Sequence, residues 1–384
     1  MNFPHFPSKL PQTGTSIFTV MSALAQKHQA INLSQGFPDF DCDRSLTYMV
    51  NQAIKHGHNQ YAPMPGLPWL KEEISAFTQE CYGTTYDPET EITITSGATE
   101  AIYCAITATV NEGDEVIVIE PAYDSYIPNI KLNGGSPVCY TLEAPDFRIN
   151  WDHFKRLITN HTRLIILNTP HNPTGTILHE SDIRQLAAII KDTQIMIVSD
   201  EVYEHIIFDG KQHQSISRFP ELVSRSFVIS SFGKTLHTTG WKLGYCLAPP
   251  PLTKELRKVH QFVTFSTSTP FQHGVARYMK EEKEKIIQLK HFYQAKRDLF
   301  LSLMKNSRFE PIPCSGTYFQ LMKYDQISDK SDTEFSQWLT SEVGVACIPV
   351  SVFYRSGKDN KIVRFCFAKE DETLEKAAEI LVKV

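Results

Sequence analysis

The chain has 384 residues, 41% of them hydrophobic and 21% charged, with a formal net charge of −5 at pH 7. That length exceeds what a single hydrophobic core usually organises, so a large and a small domain are expected. The slight acidity leaves no basic footprint for nucleic acid, and no apolar run approaches the roughly 20 residues that cross a bilayer, so the expectation is a cytoplasmic protein that binds neither nucleic acid nor membrane.

The N-terminus, MNFPHFPSKLPQ, has no charged segment followed by an apolar one and does not read as a secretory signal. Eight cysteines (Cys42, Cys81, Cys104, Cys139, Cys246, Cys314, Cys347 and Cys366) include no C-x-x-C. Neither a metal site nor a disulfide framework is expected, and the thiols read as reduced and mostly buried.

From about residue 90, β-branched runs alternate with helical sequence. EITIT, EVIVIE, RLIILN, QIMIVSD, SFVISS and KLGYCLA read as strands, with helices such as TEAIYCAITATV from Thr99 and ESDIRQLAAIIKD from Glu180 between them. This is the pattern of βα units around a mostly parallel sheet, and the fold class is α/β. After Pro249–Pro251 comes a long charged helical stretch, EEKEKIIQLKHFYQAKRDLFLSLMKN, whose charges read as a solvated face. The strands GTYFQLM and KIVRFCFA and a final helix then suggest a smaller α+β unit.

Ligands of open α/β sheets collect at the carboxyl ends of the strands. After EITIT, SGATEA turns directly into a helix and exposes N–H groups suited to a phosphate. After RLIILN, the loop TPHNPTGT fixes Asn172 and can hold a cis Asn172–Pro173 bond. After QIMIVSD, Asp200 ends an apolar strand, where a carboxylate needs a partner. Each of these alone reads as a cap or a turn. After SFVISS, the stretch SSFGKTLHTTGWKLGY carries Lys234 and Lys242 with no acidic residue, and no glycine precedes it at Walker A spacing.

Together and in this order, these segments resemble the fold-type I pyridoxal-phosphate enzymes, class I/II aminotransferases, over essentially the whole chain. INLSQGFPDF, NQYAP, LNTPHNPTGT, SDEVYEH, SSFGKTLHTTGWKLGY and FCFAK are most similar to the subgroup of bacterial methionine aminotransferases and kynurenine–oxoglutarate transaminases (glutamine transaminase K). The resemblance implies a seven-stranded, mostly parallel sheet in a large cofactor-binding domain, 46–284. A small domain, 285–384, and an N-terminal segment, 1–45, that joins it and forms the substrate lid would complete the chain.

It further implies roles for single residues. Lys234 would form the Schiff base with pyridoxal 5′-phosphate and shuttle the substrate proton. Lys242, Ser231 and the Ala98 and Thr99 backbone would hold the phosphate. Asp200 would pair with the pyridine nitrogen, Asn172 and Tyr203 would bond the ring oxygen, and Tyr123 would stack on the ring. Arg364 would clamp the substrate α-carboxylate beside Gly36 and Asn172, with Phe18 lining the side-chain pocket. Tyr61 would reach the cofactor phosphate of a neighbouring subunit, so a homodimer with shared sites is implied.

The activity implied is ping-pong transfer of an amino group from methionine, aromatic amino acids or glutamine, with kynurenine a further candidate, to a 2-oxo acid. A lyase cleaving C–S bonds of cysteine conjugates is the alternative on the same fold, and a catalytically inactive regulatory relative is the second. The segments expected around the pocket, GFPDF, NQYAPM and QFVTFSTSTP, contain no arginine for a distal carboxylate. Methionine is favoured because a thioether packs well against rings such as Phe18 or Phe265.

Overall fold

A computed structural model describes residues 7–384. Strand β1 (Ile31–Asn32) precedes seven strands of a large sheet: β2 (Ile92–Thr95), β3 (Glu115–Glu120), β4 (Ser136–Thr141), β5 (Thr162–Asn168), β6 (Met196–Asp200), β7 (Ser226–Ser231) and β8 (Gly244–Leu247). The chain continues with β9 (Glu310–Pro311), β10 (Phe319–Lys323), β11 (Val345–Ala346), β12 (Ile348–Pro349) and β13 (Ile362–Cys366).

The large sheet runs β2-β8-β7-β6-β5-β3-β4. Every pairing in it is parallel except those of β8, which lies antiparallel to both β2 and β7. Its strands read as unbroken apolar runs because helices cover both faces, so alternation would place polar groups in a core on one side or the other. Beneath one face the helix Ala98–Thr109 packs Ala101, Ala105 and Ile106 with Val116, Val198 and Phe227.

The smaller sheet, β12-β13-β10-β9, is antiparallel, and β1 pairs with β11 alongside it. Among the described residues no helix is long and apolar enough to cross a membrane.

The charged stretch expected as one long helix begins where the helix Thr269–Glu281 ends and forms two α-helices, Lys283–Ile287 and Leu289–Leu303, with breaks at Glu282 and Gln288. The break follows from what each piece buries. Ile286 packs into the core of the large sheet, whereas Leu289, Tyr293 and Phe300 pack into the core of the small one. A straight helix could not present both stripes to two cores lying in different directions.

Candidate active site

Four chain segments meet at the carboxyl edge of the large sheet. Asn168 and Asp200 face each other as register partners at the ends of β5 and β6, and Asn168 Nδ2 donates to the Asp200 carbonyl at 2.9 Å. Asn168 Oδ1 in turn accepts from the Asn172 N–H at 2.8 Å, closing a loop in which Thr169–Pro170 and Asn172–Pro173 are both cis. Ser231 ends β7, and Lys234 follows one turn later.

β8 then returns antiparallel, and its first residue, Gly244, lies against the Gly97–Ala98 backbone at the start of the next helix. A Cβ on Gly244 would stand 2.9 Å from the Ala98 nitrogen, so only glycine lets the two segments touch there. Gly97 has φ +77°, in the left-handed region that favours glycine, and the space beside it is filled by the Lys242 ammonium.

These segments enclose a cavity of about 260 Å³. Of the residues singled out in the sequence, Ala98, Thr99, Tyr123, Asn172, Asp200 and Tyr203 line it from one side. Ser231, Lys234, Lys242, Arg364, Gly36 and Phe18 complete the wall. Tyr61 does not belong to it: it is 83% exposed, with its ring edge-on to Phe265 at 5.4 Å. A larger cleft of about 540 Å³, around Trp151, His171 and Lys211, shares only Asn168 with this cavity.

The charges in the cavity are set by burial. Desolvation pushes the Asp200 carboxyl up to about 6, outweighing the hydrogen bonds from Tyr126 and the Val202 N–H and the attraction of Lys234. It lowers Lys234 from 10.5 to about 8 and Arg364 from 12.5 to about 10. Lys234 Nζ donates to the Gly36 carbonyl at 3.0 Å and to the Tyr318 hydroxyl at 2.8 Å. Arg364 has no solvent exposure and lies 3.8 Å over the Phe319 ring; its Nη1 donates to Asn172 Oδ1 at 2.7 Å and its Nη2 to the Ser34 carbonyl at 3.2 Å. Its Nε is buried without a partner.

The profile of the class I and II aminotransferases matches residues 28–381. The chain belongs to this family. It is 51% identical over 381 residues to a methionine aminotransferase of Escherichia coli, covering 99% of each chain, and superposes on a crystal structure of an E. coli methionine aminotransferase with a TM-score of 0.97 over 99% of this chain and all of the other. A kynurenine–oxoglutarate transaminase of Dictyostelium discoideum is 34% identical, with 100% of this chain and 98% of that one covered. The chain is therefore a pyridoxal-phosphate-dependent aminotransferase acting on amino acids and 2-oxo acids.

The cavity suits that cofactor on its own evidence. Lys242, Ser231 and the first-turn N–H groups of Ala98 and Thr99, which have no partner within the helix, make a donor set for a phosphate. At the other end Asp200 is a buried carboxylate short of a cation, which a protonated pyridine nitrogen supplies. The unpartnered Arg364 Nε is a donor awaiting an anion.

Sequence reasoning passed over three residues at this site. Tyr126, three positions after Tyr123, donates to Asp200 Oδ2 at 2.5 Å. Phe319 stacks on Arg364, and Tyr318 bonds the Lys234 amine. Tyr126 is the first residue of the helix Tyr126–Leu132, and Tyr123 lies in the loop before it, so no helical periodicity links the two. The other two lie in GTYFQLM, where aromatics read as strand core.

Proposed function

We propose that this aminotransferase takes its amino group by preference from methionine and related neutral amino acids, in a site built of the residues assembled above. The observation that carries the preference is the wall of the cavity. Beyond Lys234 and Lys242 its one further cation is Arg364, and Phe18 and Phe319 flank that guanidinium. One arginine serves one carboxylate, the α-carboxylate common to all amino acids. A second, distal carboxylate would be buried without a partner, at a substantial cost. The 51% identity with the E. coli methionine aminotransferase supports the same reading.

Bound pyridoxal phosphate supplies an electron sink for the carbanion left when the substrate Cα loses its proton. The chain supplies the rest. Asp200 would hold the ring nitrogen in its protonated state, Asn172 and Tyr203 would bond the ring oxygen, and Tyr123 would cover one ring face. Lys242, Ser231, Ala98 and Thr99 would fix the phosphate. Arg364, already oriented by Asn172 and Ser34, aligns the α-carboxylate with Gly36 beside it, so that Cα lies within reach of Lys234. That amine, brought down to about 8 by burial, would be the group that takes up the Cα proton.

Comparing kcat/KM for methionine, phenylalanine, glutamine and aspartate with one oxo-acid acceptor tests the preference. Methionine should exceed aspartate by about 100-fold or more, the scale of one buried unpaired charge. Aspartate as the best donor would overturn this account of the pocket while leaving the cofactor chemistry intact.

Tyr61 we assign to the phosphate of a second subunit's cofactor, which makes the enzyme a homodimer with composite sites. Support comes from its exposure and from its neighbours: Phe262 is 84% exposed, Val263 50% and Phe265 44%, a large apolar surface for a soluble monomer. Mixing Tyr61→Phe subunits with inactive Lys234→Ala subunits should produce hybrids that retain one site with both native residues. Hybrids no more active than the parents would refute the shared site.

A further inference from the structure

The Lys234 amine has two hydrogen-bond acceptors, and only one of them lies on the lid segment. Gly36 contributes its carbonyl; the other is the hydroxyl of Tyr318, which donates its own proton to the same Gly36 carbonyl at 2.5 Å. The three groups close a triangle. Because the Tyr318 proton is committed to Gly36, the phenol oxygen can only accept from Lys234.

A neutral amine has two N–H bonds and one lone pair. When both N–H bonds are held by Gly36 and Tyr318, the lone pair is left in a single fixed direction. We infer that Tyr318 is a positioning residue for the proton-transfer amine: with Gly36 it holds the freed Lys234 so that its lone pair, not an N–H, meets the substrate Cα. This rests on the reading of Lys234 as the base.

In the step concerned the Cα–H bond breaks and its electron pair stays with carbon and is drawn into the cofactor ring. The proton forms a new bond to the Lys234 nitrogen, and no oxidant or reductant enters.

The tyrosine is built to keep this position. It has no solvent exposure, and its ring stands edge-on to Tyr203 at 5.2 Å and to Phe319 at 4.9 Å. Tyr293 packs on it at 5.5 Å. Its carbonyl accepts from the Phe367 N–H at 3.0 Å, just past the strand that carries Arg364. The amine and the carboxylate clamp are thus referred to one backbone.

Tyr318→Phe and Tyr293→Phe separate this role from packing. Each removes one buried hydroxyl, but that of Tyr293 has no hydrogen-bond partner. The first readout is made on the holoenzyme after one half-reaction with excess amino donor, when Lys234 is free. Its labelling by trinitrobenzenesulfonate is followed against pH by peptide mass mapping.

The charged and titratable groups facing the amine are Asp200, Lys242, Arg364, Cys366 and Tyr203, and both variants keep all of them. Loss of an acceptor disfavours the ammonium form, so the labelling midpoint in Tyr318→Phe should fall by roughly one pH unit. In Tyr293→Phe it should not move. The second readout is the single-turnover rate with Cα-deuterated donor: Tyr318→Phe should slow proton transfer about tenfold and raise the isotope effect, with donor affinity little changed.

An unchanged midpoint and rate in Tyr318→Phe, or equal effects in both variants, would overturn the proposal. Lys234→Ala is run alongside. If it still transaminates, it is the reading of Lys234 that fails; if it is inactive while Tyr318→Phe behaves as wild type, only the role of Tyr318 fails.

Discussion

Lys234→Ala is expected to lose transamination and the visible absorbance of the cofactor-loaded enzyme together. Its rate should fall by at least about 10⁴-fold, the upper range for removing a general acid–base group alone. The loss should exceed that range because, in the proposed reading, one amine serves as both the covalent anchor and the proton carrier. Burial matters to the second role: an exposed lysine keeps its proton at neutral pH, whereas desolvation brings Lys234 down to about 8. Stopped-flow spectra and steady-state assays on the same preparation test both losses. A variant that still turned over would overturn the reading of Lys234 as anchor and proton carrier.

Asp200→Ala should separate the two functions in the opposite way, retaining the visible band while turnover collapses. Leaving a buried charge without its partner costs about 3–5 kcal/mol, which corresponds to a fall of about 10²- to 10⁴-fold in rate. A pH signature accompanies it. Burial raises Asp200 to about 6, so the carboxylate that would attract a protonated ring nitrogen is present above that pH and is lost as pH falls through it. Cofactor affinity should therefore weaken below about pH 6 in the native enzyme, and this step should be missing in Asp200→Ala. A near-normal rate in the variant would mean that another group keeps the ring protonated.

Which residues gather at the cavity was more legible in the sequence than the contacts they make there. Strands β5, β6 and β7 announce themselves as apolar runs, and the polar residues that interrupt those runs at Asn168, Asp200 and Ser231 are the ones the sheet gathers at one edge. Lys234 and Lys242 were visible because cations without neighbouring carboxylates are unusual. Tyr318 was not, because its bond to Lys234 joins residues 84 positions apart, and no local pattern distinguishes a phenol that meets an amine from one that fills a core. The division of the charged stretch after residue 280 into two helices, Lys283–Ile287 and Leu289–Leu303, was hidden for a related reason. Whether Ile286 and Leu289 enter one core or two depends on where the small sheet sits, which the helical periodicity does not encode.

Lys234 and Lys242 lie on the connection between β7 and β8 of the large sheet and Asp200 ends its strand β6, while Arg364 lies on β13 of the small one. In the proposed reading, an amino acid held at its nitrogen by the cofactor and at its carboxylate by Arg364 would be, mechanically, a tie rod between two sheets that are not hydrogen-bonded to each other. Both attachments flank Cα, so such a rod would act on the spacing of the sheets whatever its side chain. Simple amines, which lack the second attachment, could fill the cavity without drawing the sheets to that spacing, and should react slowly for mechanical reasons even where they fit.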